Sequence, residues 1–120
     1  MNRFFKSFGY AWKGVKSVFR TEQNMKIHTA VTVFMLIVSF IFKISTTEWI
    51  AVVICIGLVV SAEMINTAFE TLVDIVSPNR EATAGKIKDI TAGAVLVAAL
   101  ISVVVGIIIF LPKLLPLFTG

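Results

Sequence analysis

The sequence predicts an all-α integral membrane protein: one amphipathic helix on the membrane surface, followed by three transmembrane helices. Three observations carry this expectation. The chain has 120 residues, 58% of them hydrophobic, and a mean hydropathy of +0.95, far above that of a soluble domain. Its apolar residues gather into three long runs separated by short polar connections. Its cations are segregated: nine of the eleven Lys and Arg residues fall in the N-terminal segment and in the connection after the second apolar run. One domain over 1–120 is expected, divided into an interfacial helix and hinge (1–24) and spans over 25–44, 49–76 and 87–111.

Residues 3–20 carry the surface helix. Phe5, Phe8, Trp12, Val15 and Phe19 recur at spacings of three and four, while Arg3, Lys6, Lys13, Lys16 and Arg20 supply the charge. Such a helix lies in the membrane interface with aromatics down and cations toward anionic headgroups. Nucleic acid is excluded as a partner, because the face is too aromatic and a net charge of +4 is modest. The opening residues lack the apolar core and cleavage site of a signal peptide.

A polar hinge is expected over Arg20–Asn24, with Thr21 as a helix cap. Glu22, the only acid among the first 47 residues, suits either a cap, a partner for Lys26 or a ligand-binding role. The first span follows, with Lys26 and Lys43 snorkelling at its ends and His28 as a polar end-group at the interface. A short turn to Glu48 leads into the second span. The single cysteine, Cys55, lies in an apolar run and reads as packing. Ser77-Pro78-Asn79 ends the second helix, residues 79–89 form a charged loop, and the third span is free of charge for 22 residues from Ile90 to Leu111. Pro112 and Pro116 end it. The positive-inside rule places the N-terminus and the 79–89 connection in the cytoplasm.

The second span is the informative one. It acquires Glu63, Asn66, Glu70 and Asp74 without a helix breaker, and their spacing puts them on one narrow stripe. With Trp49 at one interface, Glu63 lies roughly 21 Å deep and Glu70 roughly 31 Å, so a hydrocarbon core of about 30 Å contains the first and ends near the second. A carboxylate at such a depth is a functional-site candidate. Carboxylates and an amide at this boundary suit Mg²⁺, which takes oxygen ligands and shares them with substrate phosphates. Lys88 offers a compact cation for phosphate, and Glu63, in apolar surroundings, suits a general base. No Gly-rich phosphate loop or kinase catalytic triplet occurs. Phosphoryl transfer to a bilayer lipid, cation- or proton-coupled transport, and a structural role for the acids all stay open on this chemistry.

Gly9-Tyr10-Ala-Trp-Lys-Gly14, Arg20-Thr-Glu22, Glu63-x-x-Asn66-x-x-x-Glu70 followed by Asp74, and Lys88-Asp89 followed by Ala94-Val95-Leu96 together resemble the small prokaryotic diacylglycerol kinase family. That family includes the undecaprenol kinases of Gram-positive bacteria. The resemblance covers nearly the whole chain in order. It implies an ATP- and Mg²⁺-dependent lipid kinase of the bacterial plasma membrane, a homotrimer with active sites between subunits. Glu63 matches the family's catalytic base and Asn66 the amide beside it. Glu22 and Glu70 match the acids that hold metal on the nucleotide phosphates, and Tyr10, Lys88 and Asp89 match nucleotide-contacting residues. Residues 79–86 and His28, which stands where the enterobacterial enzymes have Glu, depart from the enterobacterial pattern. Together with the Leu-Pro-Lys-Leu-Leu-Pro tail they resemble the Gram-positive branch, which implies undecaprenol as acceptor, with diacylglycerol as the alternative. A trimer also answers a physical need, since three helices alone cannot enclose several intramembrane charges.

Overall fold

A computed structural model describes residues 2–79 and 81–119. The chain forms four helices in order: α1 (Asn2–Thr21), α2 (Gln23–Ile41), α3 (Thr46–Val76) and α4 (Ala82–Thr119). Three of them, α2, α3 and α4, are long and apolar enough to cross a membrane. At ~1.5 Å per residue α3 is about 46 Å long and α4 about 57 Å, so both outrun a hydrocarbon core and carry their ends into the headgroup layers. None of the residues of α1 is buried, which leaves Phe4, Phe5, Phe8 and Trp12 exposed for a lipid surface.

The spans are antiparallel neighbours. Lys113 near the end of α4 meets Glu48 at the start of α3, and Lys88 at the start of α4 meets Asp74 near the end of α3. Helix α3 packs chiefly on α4, and less extensively on α2. The hydrophobic core of Ile44, Val52, Ile109 and Phe110 gathers at the Glu48 end, opposite the acidic stripe. There the α2–α3 turn is closed by a six-to-one hydrogen bond from Ile44 N–H to the Ser39 carbonyl (3.3 Å) and a second from Lys43 N–H to Phe40 (3.2 Å), the Schellman arrangement. Lys43 takes the left-handed conformation (φ 51°) that this motif requires and that glycine usually supplies. Ser45 and Glu48 then form a reciprocal capping box on α3, and Glu48 Oε2 also accepts from Lys113 Nζ at 2.6 Å.

Four sequence expectations change. The hinge is shorter than Arg20–Asn24: α1 runs through Thr21 and α2 starts at Gln23, leaving only Glu22 extended (φ −90°, ψ 121°). Thr21 does not cap α2, because its hydroxyl donates back to the Ser17 carbonyl at 2.8 Å, a local bond that competes with capping. The charged segment 79–89 is mostly helix from Ala82 onward. Its alanines and lysines favour helix, and one Gly85 costs only about 1 kcal/mol; Arg80, counted among its cations, lies outside the described residues. Pro112 and Pro116 sit inside α4 rather than ending it. Proline removes one backbone donor per site, which frees the carbonyls of residues 108 and 112, and the helix continues through both; Lys113 Nζ between them donates to the neighbouring Ile109 carbonyl at 3.1 Å.

Replacing Ser45 with Ala removes the acceptor for the Glu48 N–H and is expected to cost about 1 kcal/mol of stability, read from the midpoint of a denaturing-detergent titration.

Candidate active site at the C-terminal end of α3

Glu63, Asn66, Glu70 and Asp74 share one stripe of α3, and exposure rises along it. Glu63 is 2% exposed and Asn66 4%, Glu70 is half-buried, and the Asp74 side chain is 64% exposed. A single unbroken helix thus carries acidic groups from a dry setting to a wet one. The chain stays helical through these polar residues because α3 contains neither proline nor a second glycine beyond Gly57 and because its hydroxyls bond inward. Thr67 donates to the Glu63 carbonyl and Thr71 to the Thr67 carbonyl, each at 2.9 Å.

Asn66 reads its neighbour one turn on: Nδ2 donates to Glu70 Oε1 at 3.2 Å. Its own Oδ1 is buried without a hydrogen-bond partner, and so is Glu63 Oε2. A buried, unpartnered carboxylate oxygen is costly, and it marks where a donor from outside the chain can bind. A side chain of α2 reaches Glu63. His28 Nε2 lies 3.7 Å from Glu63 Oε2, so His28 belongs to the site rather than to the helix end alone. Counting residues outward from the α2–α3 turn in an antiparallel pair brings His28 to within about one helical turn of Glu63, a signal present in the sequence.

Glu22 arrives from the α1–α2 junction. Its side chain makes no cap bond on α2 and no ion pair with Lys26 among the described residues. Both Glu22 and Glu70 lie within electrostatic reach of Glu63. Among the described residues no three His, Cys, Asp or Glu side chains form a metal-holding group. Mg²⁺ is usually bound through one or two carboxylates plus water and substrate phosphates, and Glu22 and Glu70, the expected pair, have no ion-pair partner among the described residues.

Lys88 is drawn to this end of the bundle but is not free: its Nζ pairs with Asp74 Oδ1 across the α3–α4 contact. Asp89, one residue on, is exposed. Tyr10 is not brought to the carboxylates; it is 67% exposed on α1 with Lys13 Nζ 5.8 Å from its ring centre. An apolar groove of about 590 Å³ opens between α2 and α4, floored by Val52, Cys55, Ile56 and Val59 of α3. His28 stands at one end of it and Leu114 at the other. The groove therefore leads from the opposite end of the bundle to the polar stripe.

A buried carboxylate beside the histidine that heads an apolar groove, with further acids toward water on the same helix and a lysine across from them on α4, is a candidate site for phosphoryl transfer to a membrane-borne acceptor. Comparison with known proteins agrees. Residues 9–110 match the family described as prokaryotic diacylglycerol kinase, and the chain belongs to that family. It is 43% identical to an undecaprenol kinase of Bacillus subtilis (strain 168), over 95% of this chain and 93% of the relative. It is 38% identical to a diacylglycerol kinase of Synechocystis sp. over 92% of this chain and 64% of the relative. A diacylglycerol kinase of Escherichia coli (strain K12) is 24% identical over 85% of this chain and 84% of its own length. Of the readings open from residue chemistry, this membership selects the phosphotransferase over the transporter and the structural subunit.

The Lys88–Asp74 pair is exposed at its acidic partner, so the Asp74→Asn variant is expected to change stability by less than about 1 kcal/mol. The same denaturing-detergent titration measures it.

Proposed function

We propose that this protein phosphorylates undecaprenol, transferring the γ-phosphoryl group of ATP to the lipid hydroxyl to give undecaprenyl phosphate at the cytoplasmic face of the plasma membrane. One observation carries the reading: Glu63 is buried with a carboxylate oxygen unpartnered, beside the residue that heads an apolar groove. The 43% identical relative is an undecaprenol kinase, which supports undecaprenol as the acceptor. Diacylglycerol is the second reading, supported by the family description and by the names of the two other relatives.

In this reading the isoprenoid chain occupies the α2–α4 groove and its hydroxyl meets Glu63. Glu63 takes the hydroxyl proton as the oxygen attacks, and Asn66 holds its donor on Glu70 and its free Oδ1 toward the reactants. Glu22 and Glu70 would hold Mg²⁺, whose charge would offset that of the nucleotide phosphates. Lys88 adds a cation for the transferring group once the nucleotide competes with Asp74 for it, and Asp89 and Tyr10 contact the nucleotide. The exclusion of water by the groove keeps hydrolysis from competing with transfer.

The active unit in this reading is a homotrimer. A single copy leaves most of its apolar span surface exposed and packs its core at the end away from the acids. Gly57 and Ser61, one turn apart on α3, are both exposed and form a small-x-x-x-small face on which another helix can approach closely. Tyr10, remote from the carboxylates of its own chain, suits a site completed by a neighbour. Native mass measurement in mild detergent is expected to give trimers; fully active monomers would contradict this part of the reading.

The decisive test is transfer of labelled γ-phosphate by purified protein to undecaprenol and to diacylglycerol side by side. Undecaprenol is expected to be the better acceptor, and labelling of neither lipid would defeat both readings. In the same assay Glu63→Gln is expected to lower turnover by at least ~100-fold, with nucleotide binding retained. Near-normal turnover in that variant would remove Glu63 from the role of base.

A further inference from the structure

We propose that His28 is the proton exit for Glu63, returning the carboxyl group to its charged form after each transfer. The proposal rests on the lipid-kinase reading above. In the transfer step the acceptor O–H bond breaks, its oxygen bonds to the γ-phosphorus, and the bond from that phosphorus to the bridging oxygen of the leaving nucleoside diphosphate breaks. The proton ends on Glu63. That group is 2% exposed, so the proton has no direct route to water, yet it must leave before a second acceptor hydroxyl can be deprotonated.

The surroundings of Glu63 offer one base to receive it. Thr67 is committed, donating its hydroxyl proton to the Glu63 carbonyl at 2.9 Å. Asn66 does not titrate, and Glu22 and Glu70, the other charged groups that bear on Glu63, are the acids assigned to metal. Lys88 is engaged with Asp74. His28, the single histidine of the chain, places Nε2 3.7 Å from Glu63 Oε2, and its side chain is 22% exposed where Glu63 is closed. The gap is too short for an intervening water and somewhat too long for a hydrogen bond. A small side-chain rotation closes it, and catalytic hydrogen bonds are commonly long before substrate binds.

The relay balances without any further reactant. Protonated Glu63 gives its proton to the neutral imidazole, leaving a carboxylate and an imidazolium, and the imidazolium releases one proton to water.

Steady-state kinetics on purified wild type, His28→Ala and His28→Gln, with undecaprenol and ATP and with or without added imidazole, test this. Both variants are expected to lose kcat on the order of 100-fold, the low end of general acid–base effects, while KM for each substrate moves less than about threefold. Imidazole is expected to restore most of the turnover of His28→Ala, where it can enter the vacated space, and none of that of His28→Gln. Wild-type kcat in His28→Ala, or a slow His28→Ala that imidazole does not restore, overturns the proposal. Should His28→Ala fail to assemble, His28→Gln retains the shape of the side chain, and wild-type kcat in it is equally contrary. Absence of labelled lipid from the wild type itself defeats the lipid-kinase reading, an outcome distinct from a failure confined to the variants.

Discussion

The arrangement depends on keeping a carboxylate inside a bundle of apolar helices. Placing one acidic group at membrane depth costs about 3 kcal/mol or more, and nothing in α3 requires it for packing. The fold accommodates Glu63 by covering it almost completely, bringing His28 alongside and continuing the same helical stripe outward to Asn66, Glu70 and Asp74. Each step along the stripe is wetter than the last. A lipid hydroxyl and a hydrated polyphosphate cannot share one solvent, and a rigid helix crossing the boundary lets each stay in its own while their reacting atoms meet.

The remainder of the chain is distributed around that requirement. Rigidity is concentrated at the far end, where the Schellman turn, the Ser45–Glu48 capping box and the Glu48–Lys113 pair join α2, α3 and α4. That end also carries the hydrophobic core. The acidic end is joined by the half-exposed Lys88–Asp74 pair. A site that must admit a nucleotide from one side and a lipid from the other is better served by this polarity than by uniform packing. The same polarity leaves Gly57 and Ser61 bare on α3 and the aromatic face of α1 turned outward, surfaces suited to a neighbouring subunit and to lipid.

Most of the fold was legible in the sequence, because hydropathy and the three-to-four spacing of α1 report directly on what each helix faces. The stripe of Glu63, Asn66 and Glu70 was legible for the same reason: helical periodicity places all three without any tertiary information. What was misread lay where hydropathy is silent about backbone. Charge in 82–89 suggested a loop although its residues favour helix, and Pro112 and Pro116 suggested a stop although α4 runs through both. Thr21 looked like a cap but spends its hydroxyl on Ser17. The cross-helix partners, His28 with Glu63, Lys88 with Asp74 and Glu48 with Lys113, are tertiary facts. Even so, pairing residues equidistant from the two connections comes within about a helical turn of all three.

The central claim is that metal-bound nucleotide sits at the level of Glu70, not beside Glu63, and Cys55, the only cysteine, provides a fixed reference on the same helix. A spin label on Cys55 and paramagnetic Mn²⁺ bound with ATP give a distance between the two. The rise along α3 predicts about 22 Å from Cys55 to the level of Glu70, against about 12 Å to the level of Glu63. A shortest distance of at least ~20 Å supports the division of the stripe into a lipid-side base and a water-side metal site. A distance near ~12 Å, or one unchanged when Glu22 and Glu70 are replaced by Gln, would contradict it.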